Sequence, residues 1–317
     1  MNLHYRWLLT ITLVITSLIL EVSAKETVKE SCNANYSPIS THNTLKLVSD
    51  NFLFLEGPTW SVHNNAFYFS EMNFNGSQAL GPRSKIYKLE LPNKLSVYQV
   101  NSGTNGLLAA GTFLYTMNHT SRSLSRINLS TGKNLALVSD YHGKRFNSPN
   151  DLVKATNGTL YFTDPNWQLG DRAQETPYTG VYALAPNGAL TLIDNALQKP
   201  NGIALSPDQR TLYVGSYTNE IHRYTIESNG QVIKKKRFVK INSPDGMAID
   251  CAGNLYATSH NEGVIYIYSN DGKLLDEIKV GPKVTNVTFG GHSLKTLLIT
   301  TDHGLYTLEV NMAGFNH

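Results

Sequence analysis

The sequence predicts an all-β fold, a six-bladed β-propeller built from four-stranded antiparallel blades around a central channel. Three observations predict it. Six short polar turns open successive units: Glu56-Gly57-Pro58, Thr104-Asn105-Gly106, Pro149-Asn150-Asp151, Pro200-Asn201-Gly202, Pro244-Asp245-Gly246 and Thr285-Asn286-Val287. From Glu56 through Asn105, Asn150, Asn201 and Asp245 to Asn286 the steps are 49, 45, 51, 44 and 41 residues, a range typical of propeller blades. Each unit holds short β-branched and aromatic runs, and no part of the chain after the N-terminal segment sustains a helical period. A stacked solenoid would need atypical capping repeats, and none is present.

The units share one grammar: polar opening, apolar strand, turn, aromatic-rich strand, third strand, turn, fourth strand. In the first two units Lys85–Leu89 and Arg122–Ile127 are the expected third strands. The third unit runs through Leu152-Val153, Leu160–Thr163, Gly180–Leu184 and Leu190–Ile193, with Asn157-Gly158 and Asn187-Gly188 between them. Such Asn-Gly pairs supply the positive φ that tight hairpins require. The fourth unit repeats this with Ile203–Leu205, Leu212–Val214, Ile221–Ile226 and Val232–Val239. Gly246–Asp250, Leu255–Thr258, Val264–Tyr268 and Leu274–Val280 make the fifth. Gly304–Leu308 is the expected third strand of the sixth, and a segment within residues 33–50 is expected to close the ring.

Residues 1–24 read as a signal peptide: a basic start at His4 and Arg6, an apolar run from Trp7 to Leu20, and the small-residue site Val22-Ser23-Ala24. An uncleaved anchor is the alternative. The expected organisation is a signal at 1–24, a tail at 25–49 and the propeller at 50–317, in a secreted or periplasmic protein with no stable membrane insertion after cleavage. Net charge is only +3, and the basic run Lys234–Arg237 follows a turn, so it reads as a solvated hairpin and not as a nucleic-acid patch. Cys32 and Cys251 permit one disulfide in an exported chain, or two separate buried thiols.

In a propeller the innermost strand of each blade follows the channel, so the residue at its start can reach the axis. Glu56, Asn150, Asn201 and Asp245 then offer two carboxylates and two amide oxygens, a set that suits Ca²⁺. Zinc would recruit His or Cys, and none of the ten His recurs with the blades in this reading. Singly, Pro-Asn-Gly or Pro-Asp-Gly is an ordinary turn. Recurrence in register, with Glu in the first unit, favours a cation centre over turn chemistry. Asp164 reads as a turn residue, whereas Trp167 in the Tyr161–Trp167 segment is a candidate substrate contact at the channel mouth. No Gly-x-Ser-x-Gly elbow and no phosphate-cradling loop occurs.

At residues 50–310 the chain resembles the group of senescence marker protein (regucalcin), gluconolactonase and luciferin-regenerating enzyme, calcium-dependent six-bladed propellers. The motifs are LEGPTW at Leu55–Trp60, NSPNDL at Asn147–Leu152, LYFTDP at Leu160–Pro165 and TGVYAL at Thr179–Leu184. PNGIALSPD at Pro200–Asp208, SPDGMAID at Ser243–Asp250 and TNVTFGG at Thr285–Gly291 complete the series, which is most similar to exported bacterial gluconolactonases. The resemblance implies a hydrolase that opens a small lactone of the gluconolactone type, with Glu56, Asn150, Asn201 and Asp245 holding Ca²⁺ or another divalent cation (Mg²⁺, Mn²⁺ or Zn²⁺). It implies Asp245 as general base or nucleophile, and Asn105 and Asn286 as channel-lining substrate contacts. Where the regucalcin branch carries a sugar-holding Arg this chain has Ser148, a weaker candidate for the same contact. Phosphotriesterase-like cousins carry an acidic residue for a second ion where this chain has Ala248. The alternatives are a phosphotriesterase-like hydrolase using the same ion, and a non-catalytic ligand-binding propeller with structural calcium.

Overall fold

The computed structural model describes Cys32 and residues 37–40, 42–281 and 283–315; the expected signal peptide lies outside them. Six four-stranded antiparallel sheets follow one another as the blades of a propeller, and no helix occurs among the described residues. The innermost strands are Leu55–Ser61, Thr104–Ala110, Leu152–Lys154, Pro200–Leu205, Pro244–Ile249 and Val284–Gly290. Each of the first five blades is contiguous in sequence. The sixth takes its outermost strand, Lys46–Ser49, from the other end of the chain, paired antiparallel with Leu305–Glu309. Closure therefore falls within the segment expected from the sequence.

The core is divided among the clefts between blades. Side chains alternate across a strand, so each blade presents one apolar set to the blade before it and another to the blade after. In the fifth blade Tyr256 packs with Val287 and Phe289 of the sixth, while its neighbours Leu255 and Ala257 pack with Tyr213 and Ile221 of the fourth. Six such clusters fill six clefts. The one between the first and last blades contains Trp60, Phe67, Leu298 and Leu305, so the ring closes as tightly as it propagates.

At the axis the structure refines the expected strand boundaries. Only in the third blade does the polar opening, Pro149-Asn150-Asp151, lie ahead of the first strand as expected. In the other five blades the opening sits inside it, at a register shift: Glu56/Thr59, Thr104/Leu107, Pro200/Ile203, Pro244/Met247 and Val284/Asn286. A bulge of this kind unpairs the ladder and re-aims a side chain. Carbonyls along these innermost strands are bonded by hydroxyls of second strands and, in the sixth blade, of the innermost strand itself. Ser70 Oγ donates to Asn105 O at 2.7 Å and Thr163 Oγ1 to Asn201 O at 2.7 Å. Thr258 Oγ1 lies 2.9 Å from Gly246 O and 3.0 Å from Thr285 O, and Thr285 Oγ1 donates to Leu55 O at 2.7 Å. These bonds join blades one to two, three to four, five to six and six to one.

Candidate active site at the channel mouth

The bulges gather the openings because glycine follows several of them. A Cβ on Gly202 would lie 2.0 Å from Asp245 O, and one on Gly246 would lie 1.9 Å from Asn286 Cγ. Only bare backbone lets successive strands approach this closely. A cavity of about 440 Å³ results at one end of the channel, lined by Glu56, Asn105, Asn150, Asn201, Asp245 and Trp167 among others. A smaller chamber of about 100 Å³ occupies the other side of the bulges, with Leu108, Ala204, Met247 and Phe315 in its lining.

Glu56 is buried, and its Oε2 accepts from Gly57 N at 3.0 Å and Asn286 Nδ2 at 3.2 Å. Burial, then the nearby Asp245 charge, pushes its pKa well above the usual carboxylate value; the Asn286 bond opposes this. Asp245 Oδ1 accepts from Asn201 Nδ2 at 2.7 Å, and its Oδ2 lies 3.3 Å from His260 Nδ1. Burial raises the Asp245 pKa, with His260 and Asn201 acting against it. For His260 itself burial pulls downward, but its hydrogen bond to Asp245 and the charge there outweigh this, leaving it above its ordinary value. Asn105 is buried with neither amide atom bonded to any described residue.

Two expected contacts fall elsewhere. Ser148 does not line the cavity: it is buried, and its Oγ donates to Pro165 O at 2.7 Å while accepting from Gln168 N at 3.2 Å. Its hydroxyl is consumed in holding the loop that carries Trp167. Asn286 faces the smaller chamber and meets the site through its bond to Glu56 and its packing on Gly246. Asp151, next to Asn150, also turns to that chamber, where burial pushes its pKa up to about 7. Asp164 is not a turn residue as expected: it ends the buried second strand Leu160–Asp164 of the third blade, and its Oδ2 accepts from Asn147 N at 2.8 Å. Cys32 and Cys251 are joined in a disulfide.

His260, Phe54, Met72, Phe74, Gln168 and Tyr217 complete most of the wall and were not singled out as substrate contacts by the sequence. Met72, Tyr217 and His260 fall at or just beyond the ends of second strands, which is the signal that could have found them. Histidine does recur there. His119 and His303 each lie three residues beyond the second-strand threonines Thr116 and Thr300, and each bonds a carbonyl, Pro82 O at 2.7 Å and Phe52 O at 3.1 Å.

The donor set fits a hard divalent cation. Burial raises the protonation of both carboxylates and the Asp245 charge adds to it at Glu56, no Lys or Arg among the described residues lines the cavity to offset them, and the unbonded Asn105 amide faces the same space. Among the described residues no three His, Cys, Asp or Glu cluster, so the candidate centre is carboxylate and carboxamide in character.

A family model described as SMP-30/Gluconolactonase/LRE-like region matches residues 54–303. The chain belongs to this family. A gluconolactonase of Zymomonas mobilis is 30% identical over 305 residues, covering 85% of this chain and 82% of that protein. The solved gluconolactonase of Xanthomonas campestris superposes with a TM-score of 0.77 at 28% identity, covering 88% of this chain and 93% of that one. The calcium-binding regucalcin of Agrobacterium tumefaciens, at 20% identity, shares the fold, with a TM-score of 0.68 over 85% of this chain and 95% of that one. Membership in a family of lactonases supports lactone hydrolysis as the chemistry of this propeller.

Proposed function

We propose that the chain is an exported, calcium-dependent lactonase in which Glu56, Asn150, Asn201 and Asp245 hold the ion and Asp245 activates the attacking water. The observation that carries this reading is the meeting of Glu56 and Asp245 in one cavity, where burial and the Asp245 charge make a charged Glu56 costly. When bound, calcium supplies Lewis-acid polarisation of the lactone carbonyl and stabilises the oxyanion. Asn286 and the Gly57 amide keep Glu56 oriented toward the cavity. Asn201 and His260 fix the Asp245 carboxylate from two sides, so a single arrangement faces the substrate. In hydrolysis a water oxygen bonds the carbonyl carbon and its proton passes to Asp245. The ring C–O bond then breaks, and the alkoxide recovers that proton to leave a hydroxy acid. General-base help of this kind is worth about 10²–10⁴-fold.

Export is supported by the Cys32–Cys251 disulfide, since such bonds persist in oxidising compartments; mass analysis of the mature N-terminus tests cleavage after Ala24. The function is tested with EDTA-stripped and calcium-restored protein on gluconolactone, an aliphatic lactone and an aryl phosphotriester. Calcium-restored lactone opening is expected, with kcat of Asp245→Asn lowered about 10²–10⁴-fold. Equal activity of Asp245→Asn and wild type at saturating calcium removes the base assignment. Turnover of the phosphotriester alone, or of nothing, removes the lactonase.

A further inference from the structure

The cavity that holds the polar floor has an apolar upper wall, built from opposite sides of the ring. Phe54, Met72 and Phe74 come from the first blade. Tyr217, at the end of the second strand of the fourth blade, and Trp167, on the loop leaving the third, face them across the axis. Both sides are held in place. Phe54 and Phe74 meet edge to face at 5.4 Å. Opposite, the Lys199 ammonium lies 5.8 Å from the Trp167 ring and 5.2 Å from the Tyr217 ring, within cation–π range of both. Phe74 and Tyr217 nevertheless keep 48% and 62% of their surface exposed, an unusual state for aromatics that flank a binding cavity.

Beside these rings the upper wall offers a polyol few free polar groups, the Gln168 Oε1 among them, which bonds to none of the described residues. Ser243 and Asn261 bond each other at 2.6 Å, and the Ser148 hydroxyl is committed to the Trp167 loop. Among the described residues no Lys or Arg lines the cavity. A sugar lactone would set several hydroxyls against phenyl and thioether surface, and each hydroxyl that loses water without gaining a partner is penalised. An alkyl or aryl substituent would lose only unfavourable hydration there.

Resting on the lactonase reading above, we infer that this site selects lactones carrying an apolar alkyl or aryl substituent over polyhydroxylated sugar lactones. The floor takes the ester, and the substituent lies between Phe74 and Tyr217. Each methylene buried against this wall raises kcat/KM by about fourfold until the space is filled.

The test measures kcat/KM of the calcium-loaded protein for δ-valerolactone, δ-octalactone, δ-decalactone and glucono-δ-lactone, in wild type and in Phe74→Ala and Tyr217→Ala. Both substitutions are at exposed positions away from the polar floor. The expected result is a rise of at least tenfold from δ-valerolactone to δ-decalactone, with glucono-δ-lactone below both. Each alanine variant is expected to lower the ratio of kcat/KM for δ-decalactone to that for δ-valerolactone about tenfold. Preference for glucono-δ-lactone, or variants that lower all four substrates alike, overturns the apolar specificity while leaving the lactonase standing. No opening of any lactone removes the reading beneath it, and the specificity with it.

Discussion

Replacing Glu56 by Gln tests the cation centre without relying on catalysis. The side chain keeps its shape and loses its charge, in a cavity where burial and Asp245 already hold the Glu56 pKa well above normal. Without calcium, Glu56 in the wild type binds protons in the folded state at pH values where the unfolded chain has released them. Its contribution to stability therefore falls as pH rises from the ordinary carboxylate value through the raised one. Glu56→Gln removes that penalty, so the calcium-free variant should melt no lower than wild type near neutral pH. With calcium the order reverses. A ligand that binds only the folded state at 100 times its Kd adds about 2.7 kcal/mol, roughly 5 °C in Tm for a domain of this size. Glu56→Gln should lose most of that gain. The gain in wild type should also fade as the pH drops through the raised Glu56 value and the carboxylate takes up its proton. Thermal melts across a calcium titration at several pH values measure all three quantities. A wild-type Tm indifferent to calcium, or a variant with the full shift, refutes the reasoning.

Two further predictions concern the frame around the site. Thr258→Val should cost about 1–3 kcal/mol in urea unfolding, because it removes the single hydroxyl donor shared by two buried carbonyls, Gly246 O and Thr285 O. Thr116→Val, in the second strand of the second blade, should change stability little, since that hydroxyl bonds to none of the described residues. Burial pushes the His119 pKa down to about 4, so the unfolded chain takes up a proton that the folded one refuses. Stability should drop as pH falls from about 6.5 toward 4, by up to about 3 kcal/mol, and His119→Gln should flatten that slope relative to wild type.

The repeat carried most of the architecture because each blade solves the same packing problem with the same residue types. Polar openings at near-constant spacing pointed to the axis, and the closing strand was expected within residues 33–50 because the last unit lacks a fourth strand of its own. What stayed hidden was local. That five of the openings are bulges inside strands depends on where the ladder slips, which composition does not report. The supporting hydroxyls of Ser70, Thr163 and Thr258 were present as a repeated Ser or Thr in the aromatic strand, but a lone hydroxyl among phenyl rings reads as ordinary strand filler. The wall was harder still: Met72, Trp167, Tyr217 and His260 occupy comparable rims of their blades yet share no chemistry, so no pattern links them. Ser148 shows the converse, a polar residue two positions from the cavity residue Asn150 whose hydroxyl is spent on Pro165 O.

Both ends of the chain fasten to one corner of the ring. The N-terminal side is tied through Cys32 to Cys251, whose amide donates to Ala313 O at 2.9 Å near the C-terminus. Asp250 pairs with Gly314 beside it. The seam between the first and last strands is thus a clasp with a covalent pin. Under oxidising conditions, peeling Lys46–Ser49 away cannot release the preceding chain, which stays anchored within reach of its slot. In a reducing medium that short edge strand keeps its ladder, the bonds of Pro38 O to Asn311 N and Met312 N, and the packing of Ile39, Leu45 and Val48, but loses its covalent tether, and the hoop has a natural place to spring open.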